Sequence, residues 1–495
     1  MPTRVLRVGL SETPPSLFVT KGLSGRYAAL SYCWGPVKHT TTLRRHNLED
    51  FQKGMDLSSL CRTHQEAIAV ARELDMEYIW IDALCIIQGD KEDWAAEAVK
   101  MAEVYGNAYV TIIAGSSSDS RNGFLDPPSM GKSLSSHLLA YSRHDRPETQ
   151  LGMCYARLPR ARTTGPVDER AWCFQEGILS GRMIVYGTEQ MSFRCQQRNI
   201  YEDGYSSKLD WGQNGRYVMP NLPSLKQSLP TSKEVMLRRW YTMLAQYVER
   251  QMWSPHDVFP ALSGIAQLAR SILGCRYLAG LWEDDMIRGL LWKSCLLFGP
   301  TSKAIPLKRP IDKETQQRVD RAPSWSWAAV EGPLWLEGRE MQENKFRNPD
   351  NYRAWPVDQI NHRWDVQHTM SKSMNFCELQ MLGTLKQVYC SWQATTNYTQ
   401  WPKRRFSRGK MQEHMVLLMS AKPTHADSSL ERVVAFGLFD VKEEQATELY
   451  CVRLISEEGL MLRKTNDGTF RRLGFFLVED AAWFDQGVVT RILLR

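Results

Sequence analysis

From residue 26 onward, apolar residues fall into short runs that alternate with longer amphipathic stretches. Tyr27-Ala28-Ala29-Leu30-Ser31-Tyr32 is one such run, cut off by Trp34-Gly35-Pro36, and it reads as a strand. Between residues 60 and 74, Leu60, His64, Ala67, Ile68, Ala71 and Leu74 recur at three- and four-residue spacing, which puts them on one face of a helix. Tyr78-Ile79-Trp80-Ile81 is a second compact strand, ending in Asp82. A second helix fits residues 92–105, with Trp94, Ala98, Met101, Ala102 and Tyr105 on one side. It leads into residues 108–114, a nearly continuous apolar run bounded by Gly115 and three serines. Apolar strands alternating with amphipathic helices predict βαβ units and a parallel sheet buried on both faces, an α/β fold.

The rhythm breaks elsewhere. Residues 1–25, with Pro14-Pro15 and three glycines, read as a lead-in, and 115–167 as an insertion at the carboxyl end of the third strand. Open α/β sheets keep their functional loops at that edge. Alternation resumes with a short helix at 171–179 and strands at 182–186 and 190–195, so the α/β domain is expected over 26–200. A polar linker spans 201–232. Residues 233–332 form a largely helical region, interrupted at Pro255 and Pro260. Beyond it, segments such as HMVLLMSA, VVAFGLFDV and RLGFFLVE alternate apolar and polar residues between turn signals, predicting an antiparallel β-rich unit over 333–495.

Composition narrows the function classes. A net charge of +7 spread over 495 residues makes no phosphate-tracking stripe, so nucleic acid is not an expected partner. The densest basic cluster, Lys403-Arg404-Arg405, reads as a solvated loop. The 11 cysteines show no CxxC and no zinc-ligand spacing, so no metal is expected. Cys33, Cys85 and Cys173 sit in apolar runs and read as core thiols. No stretch is long enough to span a membrane and the N-terminus has no secretory pattern, which predicts a cytoplasmic protein. GxGxxG and the P-loop are both absent.

Three segments then stand out in order: YAALSYCWG (27–35), YIWIDALCIIQ (78–88) and RAWCFQEGILS (170–180). Together they resemble the fungal heterokaryon-incompatibility (HET) family. Glu66 stands in that family's usual acidic position in the 60–74 helix, and Gly89 replaces an acidic residue after Gln88. The resemblance implies a self/non-self recognition module whose activation triggers fungal cell death, working with self-association and a protein partner. HET domains in turn resemble Toll/interleukin-receptor (TIR) domains, which have a flavodoxin-like parallel sheet. Trp172-Cys173-Phe174-Gln175-Glu176 is similar to the WCxxE helix of plant TIR domains, whose Glu is catalytic in cleaving NAD.

That second resemblance implies NAD, or a related nucleotide, as substrate and Glu176 as the catalytic carboxylate. Nicotinamide leaves NAD as a neutral molecule, so no general acid is needed; one carboxylate that stabilises an oxocarbenium-like ribose is enough. Asp82, at the carboxyl edge of the sheet, is a candidate ligand contact or a local cap. Ser31, Tyr32 and Gly35 close the first strand and are placed to line the same crevice. Trp34 is read either as a stacking partner for a base or as packing, and Trp172 either as ligand-facing or as core. The alternative to catalysis is a signalling module acting by self-association and partner docking.

Overall fold

The computed structural model describes residues 1–9, 13–36, 41–126, 137–143, 145–156, 165–195, 197–208, 233–294, 306–336, 346, 349–357, 378–392, 415–422 and 433–495. The cluster at Lys403 and most of the expected linker, 209–232, lie outside them. The chain divides into two compact units, 1–229 and 230–495.

Unit 1 is built on β1 (Arg4–Arg7), β2 (Ser16–Val19), β3 (Ala28–Ser31), β4 (Tyr78–Trp80), β5 (Val110–Ile113), the hairpin β6 (His137–Arg143) and β7 (Arg146–Ala156), then β8 (Arg182–Tyr186), β9 (Met191–Cys195), β10 (Arg198–Tyr201) and β11 (Ser206–Lys208). Its helices are α1 (Leu48–Lys53), α2 (Arg62–Glu73), α3 (Asp82–Cys85), α4 (Lys91–Asn107) and α5 (Ala171–Leu179). The main sheet runs β11-β10-β9-β8-β5-β3-β4-β1-β2. Its centre is parallel, with Ala28 opposite Ile79, Leu30 opposite Ile112, and Ile112 opposite Ile184. The parallel strands therefore lie in the order second, first, third, fourth, the arrangement of a doubly wound sheet. Helices α4 and α5 pack on each other, and β3 and β5 are buried along their whole length.

Residues 1–25 are not a lead-in. Strand β1 pairs antiparallel with β4 (Leu6 opposite Ile79) and with β2 (Leu6 opposite Leu17), extending the sheet. Val5 and Leu6 are fully buried. Arg4 donates to the Cys85 carbonyl at 2.6 Å and pairs with Asp93 at 2.6 Å. The same Asp93 accepts from the Ile87 amide, so the first strand braces the turn that follows β4. The sheet also outlasts its expected end at residue 200, because β10 and β11 add two antiparallel strands after β9. The 115–167 insertion holds the β6–β7 hairpin.

Unit 2 joins the two segments expected as separate, 233–332 and 333–495, into one body. Helix Lys233–Tyr247 and helix Pro260–Leu273 pack together, and Pro260 sits in the first turn, where a missing N–H costs nothing. The β-rich part closes on itself. Strands Leu379–Ser391, Met415–Met419, Val433–Phe439, Phe470–Val478, Glu458–Lys464 and Glu448–Ile455 pair in that order, and the last pairs back to the first. All six junctions are antiparallel, making a barrel without free edges. Its interior holds Val388, Val416, Leu418, Phe439, Cys451, Met461 and Phe476. A buried Arg472 ties the barrel to the end of the helical part by donating to the Leu290 and Trp292 carbonyls.

Candidate functional site at the carboxyl edge of the parallel sheet

Strand β3 ends at Ser31 and hands the chain to Tyr32, Trp34 and Gly35. Strand β4 is followed by Asp82, the first residue of α3. Helix α5 starts after Arg170, whose extended backbone (φ −92°, ψ 134°) stops the helix from reaching further back. These three stretches meet. Glu176, on the second turn of α5, is 7% exposed, and Ser31, Arg170, Asp82 and Cys173 all act on its carboxyl group. Burial pushes Glu176 up to about 7, against the opposing pull of the Ser31 hydroxyl and the Arg170 guanidinium; Asp82 adds to the rise.

Asp82 is held from two sides. Its Oδ1 accepts from the Ala83 amide at 2.7 Å, and its Oδ2 accepts from Trp34 Nε1 at 2.8 Å. Trp34 is half-buried, and this bond fixes its indole over the edge. The Tyr32 hydroxyl lies 2.9 Å from His64 Nε2 on α2, with the two rings edge to face. Burial, then the nearby Asp82, pushes the Tyr32 phenol well up, so it stays a neutral hydroxyl. Arg170 Nη1 donates to the Tyr32 carbonyl, and Cys173 Sγ lies 3.8 Å from the same oxygen. Tyr105 of α4 donates to the Leu30 carbonyl at 2.9 Å beneath the cluster.

Gly35 has φ +90°, and a Cβ there would lie 2.7 Å from Cγ of Asp119. Its lack of a side chain lets the 116–121 loop after β5 close on the β3 loop, where Ser120 Oγ donates to the Trp34 carbonyl at 2.9 Å. Glu66 of α2 fastens the same loop by accepting from the Phe124 and Leu125 amides. Trp172 points elsewhere. It meets Trp94 of α4 edge to face, at 6.3 Å between ring centroids, and serves the packing of the two helices.

The structure thus gathers Ser31, Tyr32, Trp34, Asp82 and Glu176 at one edge, with Gly35 in the adjoining loop and Trp172 on the α4–α5 contact. Sequence reasoning passed over Arg170, His64 and the Asp119–Arg121 turn. The available signal for Arg170 was a charged residue placed directly before an apolar helix. The thiols are inert: burial pushes Cys85 up to about 12 and raises Cys173 well above its ordinary value. Among the described residues, no three His, Cys, Asp or Glu side chains are placed to hold a metal ion, and no helix is long and apolar enough to cross a membrane.

Residues 27–176 match the family model described as heterokaryon incompatibility protein (HET). The chain carries a HET domain. Its matched span begins one residue before β3 and ends on Glu176, so it encloses the whole of the gathered cluster. The Neurospora crassa heterokaryon incompatibility protein 6, OR allele, is 31% identical to the chain over 107 residues. That match covers 20% of this chain and 16% of the relative. No solved structure matches the chain. The sheet of the HET domain extends beyond the matched span, with β1 and β2 upstream of it and β8 to β11 downstream.

Proposed function

We propose that this chain acts in heterokaryon incompatibility and that its HET domain is a death effector that hydrolyses NAD, with Glu176 as the catalytic residue. The incompatibility role rests on the HET domain and the printed name of the Neurospora relative. The chemistry rests on one observation: a buried carboxyl group with a pKa near 7, beside Asp82 at the carboxyl edge of a doubly wound sheet. In the reaction, the bond between ribose C1′ and nicotinamide nitrogen breaks and both electrons leave with nicotinamide. Ionised Glu176 stabilises the positive charge that develops on the ribose. Water then adds to C1′ and releases a proton. Trp34, fixed by Asp82, offers a ring face to a base, and the resemblance to TIR domains favours the same reading.

A second reading has its own support. Glu176 is 7% exposed and surrounded by internal partners, as a purely structural polar cluster would be. The domain would then signal by self-association and partner docking. Nicotinamide release, measured on the 495-residue chain with NAD and with assembly induced, separates the two. Glu176→Gln is expected to lower the rate about a hundredfold or more. Because ionised Glu176 is the active form, the wild-type rate rises with pH through about 7. The enzyme reading fails if the assembled wild type releases no nicotinamide while Glu176→Gln still triggers cell death.

A further inference from the structure

We propose that Glu66 is a positioning residue for Trp34: by holding the 116–125 loop against the end of β3, it fixes where the indole meets the base of a ligand. For the identity of that ligand, this rests on the hydrolase reading. Trp34 is gripped at two points. Its indole Nε1 donates to Asp82 Oδ2 at 2.8 Å. Its carbonyl accepts from the Ser120 hydroxyl at 2.9 Å and from the Ser120 amide at 3.4 Å. The first grip belongs to the sheet edge itself. The second is only as firm as the loop that carries Ser120.

Helix α2 holds that loop in two places. The Thr63 amide, in the first turn of α2, donates to the Ser120 carbonyl at 2.9 Å, so a helix donor with no acceptor inside the helix finds one in the loop. One turn further on, Glu66 divides its two oxygens. Oε1 accepts from Arg62 Nε at 2.7 Å, and Oε2 accepts from the Phe124 and Leu125 amides, the latter at 2.9 Å. Bonds from amides to a carboxylate are stronger than those between neutral groups. Gly123 makes room for this grip, since a Cβ there would collide with Glu66 Oε1, and its φ of +74° suits glycine. Next to it, Phe124 is buried and meets Tyr186 of β8 edge to face, at 4.8 Å between ring centroids. Losing Glu66 would free both amides at the far end of the loop, so Ser120 and the Trp34 carbonyl would gain room to shift together.

The test follows Trp34 itself, first without NAD. In the 495-residue chain labelled with 5-fluorotryptophan, the fluorine resonances of Trp34 and Trp172 are assigned by their loss in Trp34→Phe and Trp172→Phe. Glu66→Ala is expected to shift or broaden the Trp34 resonance and to leave that of Trp172, on the α4–α5 contact, in place. Glu66→Gln, whose side-chain oxygen still accepts the two amides, should keep the wild-type resonance. NAD is then titrated into the Glu176→Gln chain and read at the Trp34 resonance. Adding Glu66→Ala to that chain should weaken binding about tenfold, within what base–aromatic stacking supplies. A folded Glu66→Ala chain with an unmoved Trp34 resonance overturns the proposal, and so does one in which Trp172 moves as far. If Glu66→Ala does not fold, Gly123→Ala takes its place, and an unmoved Trp34 resonance there overturns the proposal instead. If NAD moves Trp34 in no chain, the base contact and the hydrolase reading fail, while the ligand-free spectra still decide whether Glu66 positions Trp34.

Discussion

In unit 2, Arg472 is 0% exposed and donates to Asp440 at 2.8 Å; its remaining N–H groups reach the Leu290 and Trp292 carbonyls, and its guanidinium lies 3.4 Å from the centre of the Trp292 ring. Lys293 and Glu458, 2% and 3% exposed at their side chains, form a second matched pair at 3.5 Å. Unit 1 buries charge differently. At its carboxyl edge, burial pushes the Glu176 carboxyl up to about 7, with Arg170 pulling it down and Asp82 adding to the rise. Matched buried pairs specify a fold, because every charge is answered by one opposite charge and every donor by an acceptor. An unmatched cluster stays sensitive to protons and ligands. Unit 2 also holds such a cluster, where burial pushes Asp285 up to about 6 and Arg288 pairs with both Asp285 and Glu234, so the contrast is between two kinds of buried charge.

The largest effect is expected where a matched pair is broken. Arg472→Met would leave the Asp440 carboxylate, 2% exposed, without its cation and would remove the ties to residues 290 and 292. A loss of about 3–5 kcal/mol in urea unfolding is expected. Arg472→Met combined with Asp440→Leu should recover most of it, since removing both charges leaves nothing unpaired. If the double variant is as unstable as the single one, the ties to the carbonyls outweigh the ion pair and the contrast with unit 1 weakens.

A smaller effect is expected in unit 1, and its sign depends on pH. The folded-state pKa of Glu176 is raised to about 7 from an ordinary 4.5, so the fold favours the protonated form. That stability is fully present below pH 4.5 and is lost as pH rises through 7. Glu176→Gln, which mimics the protonated form, should therefore match wild type near pH 4. It should exceed wild type by on the order of 3 kcal/mol at pH 8, from the size of the pKa shift. Thermal unfolding of both chains across this range checks it. A constant difference between them would place Glu176 in an ordinary solvated setting.

How far these sites could be read from the sequence follows the range of the interactions. Helix α5 (Ala171–Leu179) and strand β8 (Arg182–Tyr186) match their expected limits, because local apolar periodicity decides both. The expected βαβ alternation gives the parallel centre of the sheet. Strands β1 and β2 were hidden: four-residue strands leave too short a pattern, and Arg4, a charged residue in a buried strand, makes sense only beside Asp93. The closed barrel was hidden for a related reason. Alternation predicts strands, but the pairing of Glu448–Ile455 with Leu379–Ser391 joins segments far apart in the chain. The same holds for the cluster. Glu176 and Asp82 are visible as acids in motifs, whereas the bond from Arg170 to the Tyr32 carbonyl depends on β3 and α5 meeting at one edge.

The smallest effect in the series comes from a glycine, and it sharpens the same contrast. Gly35 needs its positive φ of +90°, and an added Cβ would press on the Asp119 side chain. That side chain can swing aside, giving up its bonds to Arg121, so Gly35→Ala should cost only about 1–2 kcal/mol, mostly from backbone strain. Gly474 in the barrel has no such outlet. A Cβ there would lie 2.1 Å from the Leu438 carbonyl oxygen, in the ladder between two paired strands, so the backbone itself must give way. Gly474→Ala should therefore cost more than Gly35→Ala when both are compared by urea unfolding. Equal costs would mean that the loop edge of unit 1 is held as rigidly as the barrel wall. That rigidity would leave Glu176 little room to meet a ligand, and it would favour the signalling reading over the hydrolase.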